Sequence, residues 1–172
     1  ILYTMSIVYR IENPDGSGPY RGSNSKINNI ANNEVSAIHH PGPRTDAKFH
    51  DEVDRIFDKN NYWNRNTAWD DLLVDKIFGF ASKEQLRQWF YSWLLIEMSD
   101  AGAVVAEYHV KKSDIVIGES QILFRYENKQ KKQYDIIEYF KLREMKIENN
   151  SETEEPEPNP EQSQDWSYAI AA

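Results

Sequence analysis

A chain of 172 residues, 40% hydrophobic and 28% charged, has the length and composition of one globular domain, not those of a disordered or fibrous chain. It has no cysteine, which excludes a disulfide framework, a thiolate nucleophile, an iron–sulfur cluster and a Cys-ligated zinc site, and no apolar run approaches the ~20 residues of a membrane-spanning helix. The net charge of −8 is carried by the end of the chain: seven acids and no Lys or Arg lie beyond Ile147, leaving 21 acids against 20 bases in residues 1–146, without the basic stripe of a nucleic-acid binder.

In chain order, residues 1–6 read as an N-terminal extension in which Met5-Ser6 marks a natural start, and they lack the basic-then-apolar pattern of a signal peptide. Residues 7–12 are mostly β-branched or aromatic and predict a strand, closed by the Asn13-Pro14-Asp15-Gly16 turn. The Asn- and Ser-rich stretch 22–36 predicts loop with at most one helical turn. His39-His40-Pro41-Gly42-Pro43-Arg44 is a second rigid loop, because two prolines exclude regular helix. From Asp46 the spacing of Phe49, Val53, Ile56 and Phe57 predicts a helix that ends at Lys59-Asn60-Asn61. Residues 62–78 supply core aromatics and aliphatics (Trp63, Trp69, Leu72, Leu73, Ile77, Phe78) with mixed periodicity.

The clearest element follows. Ser82 and Gln85 form a capping box, Leu86, Trp89, Phe90, Trp93 and Leu94 make one apolar stripe, and Gly102 supplies the stop, predicting a helix over 83–99 with Trp89 and Trp93 in the core. Beyond Gly102 the period becomes two, so residues 103–110 and 115–124, interrupted at Gly118, predict an antiparallel hairpin or meander. Lys129, Lys131 and Lys132 read as a solvated turn, and residues 133–143 as a short helix. Residues 147–172 form a Glu-, Pro- and Ser-rich tail expected to be disordered, with a small apolar end at Trp166–Ala172. The expected architecture is a single α+β domain over 7–146: an antiparallel sheet packed by one dominant amphipathic helix and short helices, followed by a disordered acidic C-terminal tail.

The ordered set Tyr9-Arg10-Ile11-Glu12, Gly16–Gly22, His40-Pro41, Phe78–Ser82 with Gln85-Leu86 and Trp89-Phe90, Tyr108-His109-Val110, and Gly118 with Gln121–Phe124 resembles a group of small proteins from tailed phages and prophages. The resemblance covers residues 7–124 and implies a viral context, hence the host cytoplasm, more than a particular chemistry. A looser similarity is to ADP-ribosyltransferase-like folds. It implies NAD as cofactor, Arg10 on the first strand to meet the dinucleotide, and Glu119 or Gln121 in catalysis, although no Glu-x-Glu pair and no Ser-Thr-Ser strand are present.

Each candidate residue also has a plainer reading. Arg10 suits an anion, and equally a structural salt bridge to Glu12 or Glu107. His39, His40, His50 and Asp46 have ligand chemistry for a metal but no ligand spacing, so no metal site is expected. Gly16-Ser17-Gly18 lacks the Lys and following helix of a phosphate loop and reads as a turn. Glu119 reads as a strand-edge carboxylate facing solvent. No catalytic set is complete. The leading expectation is therefore a non-enzymatic phage accessory protein without cofactor, binding a host protein or small ligand through Tyr9, Arg10, Tyr20, Arg21, His39, His40 and Arg44, in host takeover or counter-defence. The alternatives are the NAD-dependent enzyme and a DNA mimic acting through the acidic tail; neither a membrane nor nucleic acid is an expected partner, and the oligomeric state is open.

Overall fold

The computed structural model describes residues 4–19, 26–34, 43–60, 64–126 and 130–143. Within them the elements run β1 (Met5–Glu12), α1 (Lys26–Glu34), α2 (Ala47–Asn60), α3 (Arg65–Leu73), β2 (Lys76–Gly79), α4 (Lys83–Trp89), α5 (Ser92–Asp100), β3 (Val104–Lys111), β4 (Ile115–Ile117), β5 (Ile122–Arg125), β6 (Lys131–Asp135) and α6 (Ile136–Phe140). The class is α+β, as the sequence predicts.

The strands form two antiparallel sheets, β1-β3-β6 and β2-β5-β4, stitched at one corner by the Tyr9–Phe80 bridge. Tyr9 donates its amide to the Phe80 carbonyl at 2.9 Å and accepts from the Phe80 amide at 2.8 Å. Alternation along each strand then builds three apolar layers. Ile11 and Val105 pack against Ile27 and Ile30 of α1, Leu86 and Trp89 of α4, Leu94 and Leu95 of α5 and Ile136 of α6. Val8, Ala106 and Tyr108, on the opposite face, meet Ile77, Ile122 and Phe124 of the second sheet. Leu123 turns away to join Phe49 and Val53 of α2 and Trp69 and Leu72 of α3. The result is helix, sheet, sheet, helix. Gly79 lets the sheets close: a Cβ there would lie 2.7 Å from Val8 Cγ1 and 2.8 Å from Phe124 Cε1.

Local chemistry sets the helix ends. Ser82 Oγ accepts from the Gln85 amide at 3.1 Å, and Gln85 Oε1 accepts from the Ala81 amide at 2.7 Å, so the capping signature works as expected. Gly102 ends α5 with φ of 91°. Asp135 Oδ1 caps α6 through the Glu138 amide at 2.9 Å.

Several expectations are corrected. The helix expected over 83–99 is two helices, because Phe90 (φ −112°, ψ 112°) and Tyr91 (φ −59°, ψ 155°) are extended. The break re-aims the register, so Leu94, Leu95 and Met98 are buried while Trp93, expected in the core, is 43% exposed. Residues 26–34, expected as loop, form α1, with Ile27, Ile30 and Ala31 buried against the first sheet's helical side. β1 starts at Met5, so the extension expected at 1–6 is partly strand, paired through Met5 with Lys111. The 103–110 and 115–124 runs do not form a hairpin together. β3 pairs with β1 and β6, and β4 pairs with β5 in the other sheet. Lys131 and Lys132 lie on β6 instead of in a turn. The acidic tail lies outside the described residues.

Candidate functional site

β1 carries Arg10 and Glu12 on the face that meets the second sheet, and both are buried, at 4% and 0% exposure. Isolated charges there would be costly, so each finds partners. Glu12 Oε1 accepts from Lys131 Nζ at 2.8 Å and Gln133 Nε2 at 3.0 Å; Oε2 accepts from the Tyr108 hydroxyl at 2.6 Å and lies 3.5 Å from Arg10 Nε. Arg10 Nη1 donates to the Phe78 carbonyl at 2.7 Å, tying the first sheet to the second. Of the two salt bridges open to Arg10 in the sequence, the one to Glu12 is formed. Burial, and then the bond to Glu12, pushes the Tyr108 phenol well above its ordinary range.

The glycine turn closes over this network. The Asn13 amide donates to the Ser17 carbonyl at 2.7 Å and the Gly16 amide to the Asn13 carbonyl at 2.9 Å. The Ser17 amide and hydroxyl both donate to Asp15 Oδ1, which holds that carboxyl below its usual range. Gln133 reaches the Pro14 carbonyl at 3.2 Å. Gly16-Ser17-Gly18 is thus a turn, as read from the sequence.

Beside it Arg10, Pro19, Phe78, Phe80, Trp89 and Gln121 line a cavity of about 20 Å³, which joins the early turn to the Gln121 region. That volume holds about one water, far below the ~300 Å³ of a small-molecule pocket. Glu119 is not among its lining residues. It is exposed, and its amide donates to Asp46 Oδ2 at 2.8 Å. Asp46 is itself 1% exposed and caps α2 through the Phe49 amide at 3.2 Å, so one carboxylate fastens α2 to the β4–β5 turn. Gly118 makes that contact possible, since a Cβ would lie 2.6 Å from Asp46 Oδ2.

Arg44 sits with its guanidinium 5.7 Å from the Trp69 ring centre and its Nη1 3.4 Å from Asn66 Oδ1. His50 Nε2 lies 2.5 Å from the Arg44 carbonyl and Nδ1 3.1 Å from Arg65 Nη2, a pattern that assigns the proton to Nε2. Tyr20, Arg21, His39 and His40 lie outside the described residues. Among the described residues no group of three His, Cys, Asp or Glu side chains is placed to hold a metal.

Tyr9 faces the helical side. Its ring centre is 5.9 Å from Lys83 Nζ, and that ammonium stands 4.1 Å above the Tyr139 ring. The Tyr134 and Tyr139 hydroxyls both donate to Glu107. Burial, followed by Glu107, raises the Tyr9 and Tyr139 phenols.

A second feature of the described residues was not singled out in the sequence. Beyond the Tyr9–Phe80 bridge the chain leaves β2 to enter α4, so residues 5–8 of β1 have no strand on that edge among the described residues. By strand alternation the Ile7 amide and carbonyl face the same edge as those of Tyr9. Next to it is a groove of about 240 Å³, lined by Ser6, Ile7, Val8, Ala81, Lys112, Ile115, Ile117 and Ile122. Met5, Ile7 and Ile117 are 50%, 40% and 65% exposed. The sequence signal was there in Ile115 and Ile117, where the period-two pattern places apolar residues on a three-residue strand at a sheet edge.

Among the described residues no helix is long and apolar enough to cross a membrane. Charged groups buried in structural contacts, beside an apolar groove between two sheet edges, define a small α+β module with a surface groove. The chain belongs to the family described as the bacteriophage T4 Y00F protein, whose model matches residues 5–139. It is therefore a phage protein. No curated protein and no solved structure matches it, and nothing supports the similarity to ADP-ribosyltransferase-like folds.

Proposed function

We propose that this phage protein acts by binding a host protein in the infected cell, in host takeover or counter-defence, without catalysis or a resident cofactor. The groove between β1 and β4 is the docking face. An extended segment of the partner adds to the β1 edge, taking main-chain bonds from Ile7, while its alternate side chains enter the space lined by Ile115, Ile117 and Ile122. The observation that carries this reading is the coincidence of an open strand edge with an apolar groove of about 240 Å³. The enzyme reading has no comparable support: the cavity at Arg10 has room for about one water.

The test is capture of partners from host lysate by the full chain and by Ile117→Lys, with Asp51→Lys on α2 as a surface control. The expected result is a partner retained by the parent and the control and lost from Ile117→Lys, all three with the same thermal midpoint. A partner that survives Ile117→Lys, or that depends on Arg44 instead, overturns the groove as the docking face.

A further inference from the structure

The groove also has a candidate occupant within the chain, and this inference rests on the groove being the docking face. We infer that residues 166–170 of this chain dock along the β1 edge as an intramolecular strand, which a host partner must displace. Trp166, Tyr168 and Ile170 alternate with Ser167, Ala169 and Ala171, the period-two pattern of a strand with one apolar face. No proline lies between Glu161 and Ala172, so every amide there is free to join a ladder.

Reach does not limit the contact. Residues 144–165 separate Arg143 from Trp166, and a random coil of that many residues has a root-mean-square length of about 26 Å. Only β3 lies between β6 and β1, so the open edge is about 10 Å across the sheet from β6. Charge favours the same seat: Asp165 and six further acids precede the apolar segment with no base among them, and exposed Lys112 stands on the groove rim. Edge-to-edge pairing of two copies has no such advantage, since it would set one Lys112 beside another.

The chain has no cysteine, so an introduced pair reports only its own proximity. In the full chain, Ile117→Cys with Tyr168→Cys is compared under mild oxidation with Asp51→Cys and Tyr168→Cys. The groove pair is expected to close an intramolecular disulfide at least about tenfold faster, and adding Trp166→Ser and Ile170→Ser is expected to abolish the advantage. Hydrogen exchange gives an independent measure: the Ile7 amide is expected to be protected in the parent and to lose that protection in Trp166→Ser/Tyr168→Ser/Ile170→Ser. Equal closure rates, an unchanged Ile7 amide, or a disulfide between molecules that grows with concentration each overturn the inference. Equal rates with a partner still sensitive to Ile117→Lys sink this inference and leave the binding reading standing. A fast groove pair with a partner indifferent to Ile117→Lys does the reverse.

Discussion

Gly18 lies against the Arg10 guanidinium so closely that a Cβ at Gly18 would fall 2.0 Å from Nη2. The guanidinium has little freedom to yield, because it is tied to the Phe78 carbonyl and stands beside Glu12. Gly18→Ala is expected to lower stability by about 1–3 kcal/mol, the usual cost of overpacking, measured by urea unfolding. An unchanged midpoint would show that the turn lifts off the buried pair at no cost.

The Glu12 carboxylate is the hub for Tyr108, Lys131 and Gln133. Glu12→Ala leaves the buried Arg10 without its carboxylate and is expected to cost about 3–5 kcal/mol, whereas Tyr108→Phe, which removes one bond, costs about 1–2 kcal/mol. Denaturant titration of both variants orders the two effects. The reverse order would move the hub from Glu12 to the phenol.

Alkaline pH should act through two tyrosines. Burial first, and then their acceptors Glu12 and Glu107, raise the Tyr108 and Tyr139 phenols above the ordinary value of about 10. The unfolded chain ionises them near that value while the native state keeps them protonated. The stability they confer is therefore whole below about pH 10 and is lost as pH rises towards the folded values. Phenolate absorbance is expected to show at least these two groups silent until the fold itself is lost. Their titration with the exposed tyrosines at constant fold would refute this.

The break between α4 and α5 separates two tryptophans that the sequence treats alike. Trp89 is 7% exposed and Trp93 is 43% exposed. Trp89→Ala is expected to cost about 3–5 kcal/mol, and Trp93→Ser no more than about 0.5 kcal/mol. Thermal melts of the pair distinguish the broken helix from a continuous one, in which both would be costly.

Asp46 makes a comparable junction on the other side of the molecule, holding the Phe49 and Glu119 amides. Asp46→Ala is expected to cost about 2–3 kcal/mol through the lost cap and the Glu119 amide left unbonded. Combined with Gly118→Ala it should be less than additive, because both changes open the same contact. Full additivity in a double-mutant cycle would separate the two sites.

Local signals were legible where a residue acts on its own neighbours. The Ser82–Gln85 cap, the Gly102 stop and the α2 periodicity each depend on chemistry within a few positions, and each is in the structure. The split at Phe90 was not legible, because continuous and broken helices satisfy the same apolar spacing. Nor was β6, whose Lys131-Lys132-Gln133-Tyr134-Asp135 has no aliphatic residue and becomes a strand only by pairing with β3 and delivering Lys131 and Gln133 to Glu12. Period two says that β3 and β4 are strands; it does not say which sheet each joins. Of the candidate site, Arg10 was readable as a strand arginine with an acid partner. The groove was readable only in the Ile115 and Ile117 wall, because its other wall is an edge left open when the chain departs for α4.

The pairing of β1 with β3 sets a schedule for synthesis. At roughly 5–20 residues per second, the ribosome needs about 5–20 s after Glu12 before Lys111 has been made. β2 is made much nearer to its partner β5 than β1 is to β3, so the first strand has the longer wait. During that interval Ile7, Val8 and Ile11 are open to chaperones or to neighbouring nascent chains. Slowing translation ahead of residue 104 would lengthen that exposure.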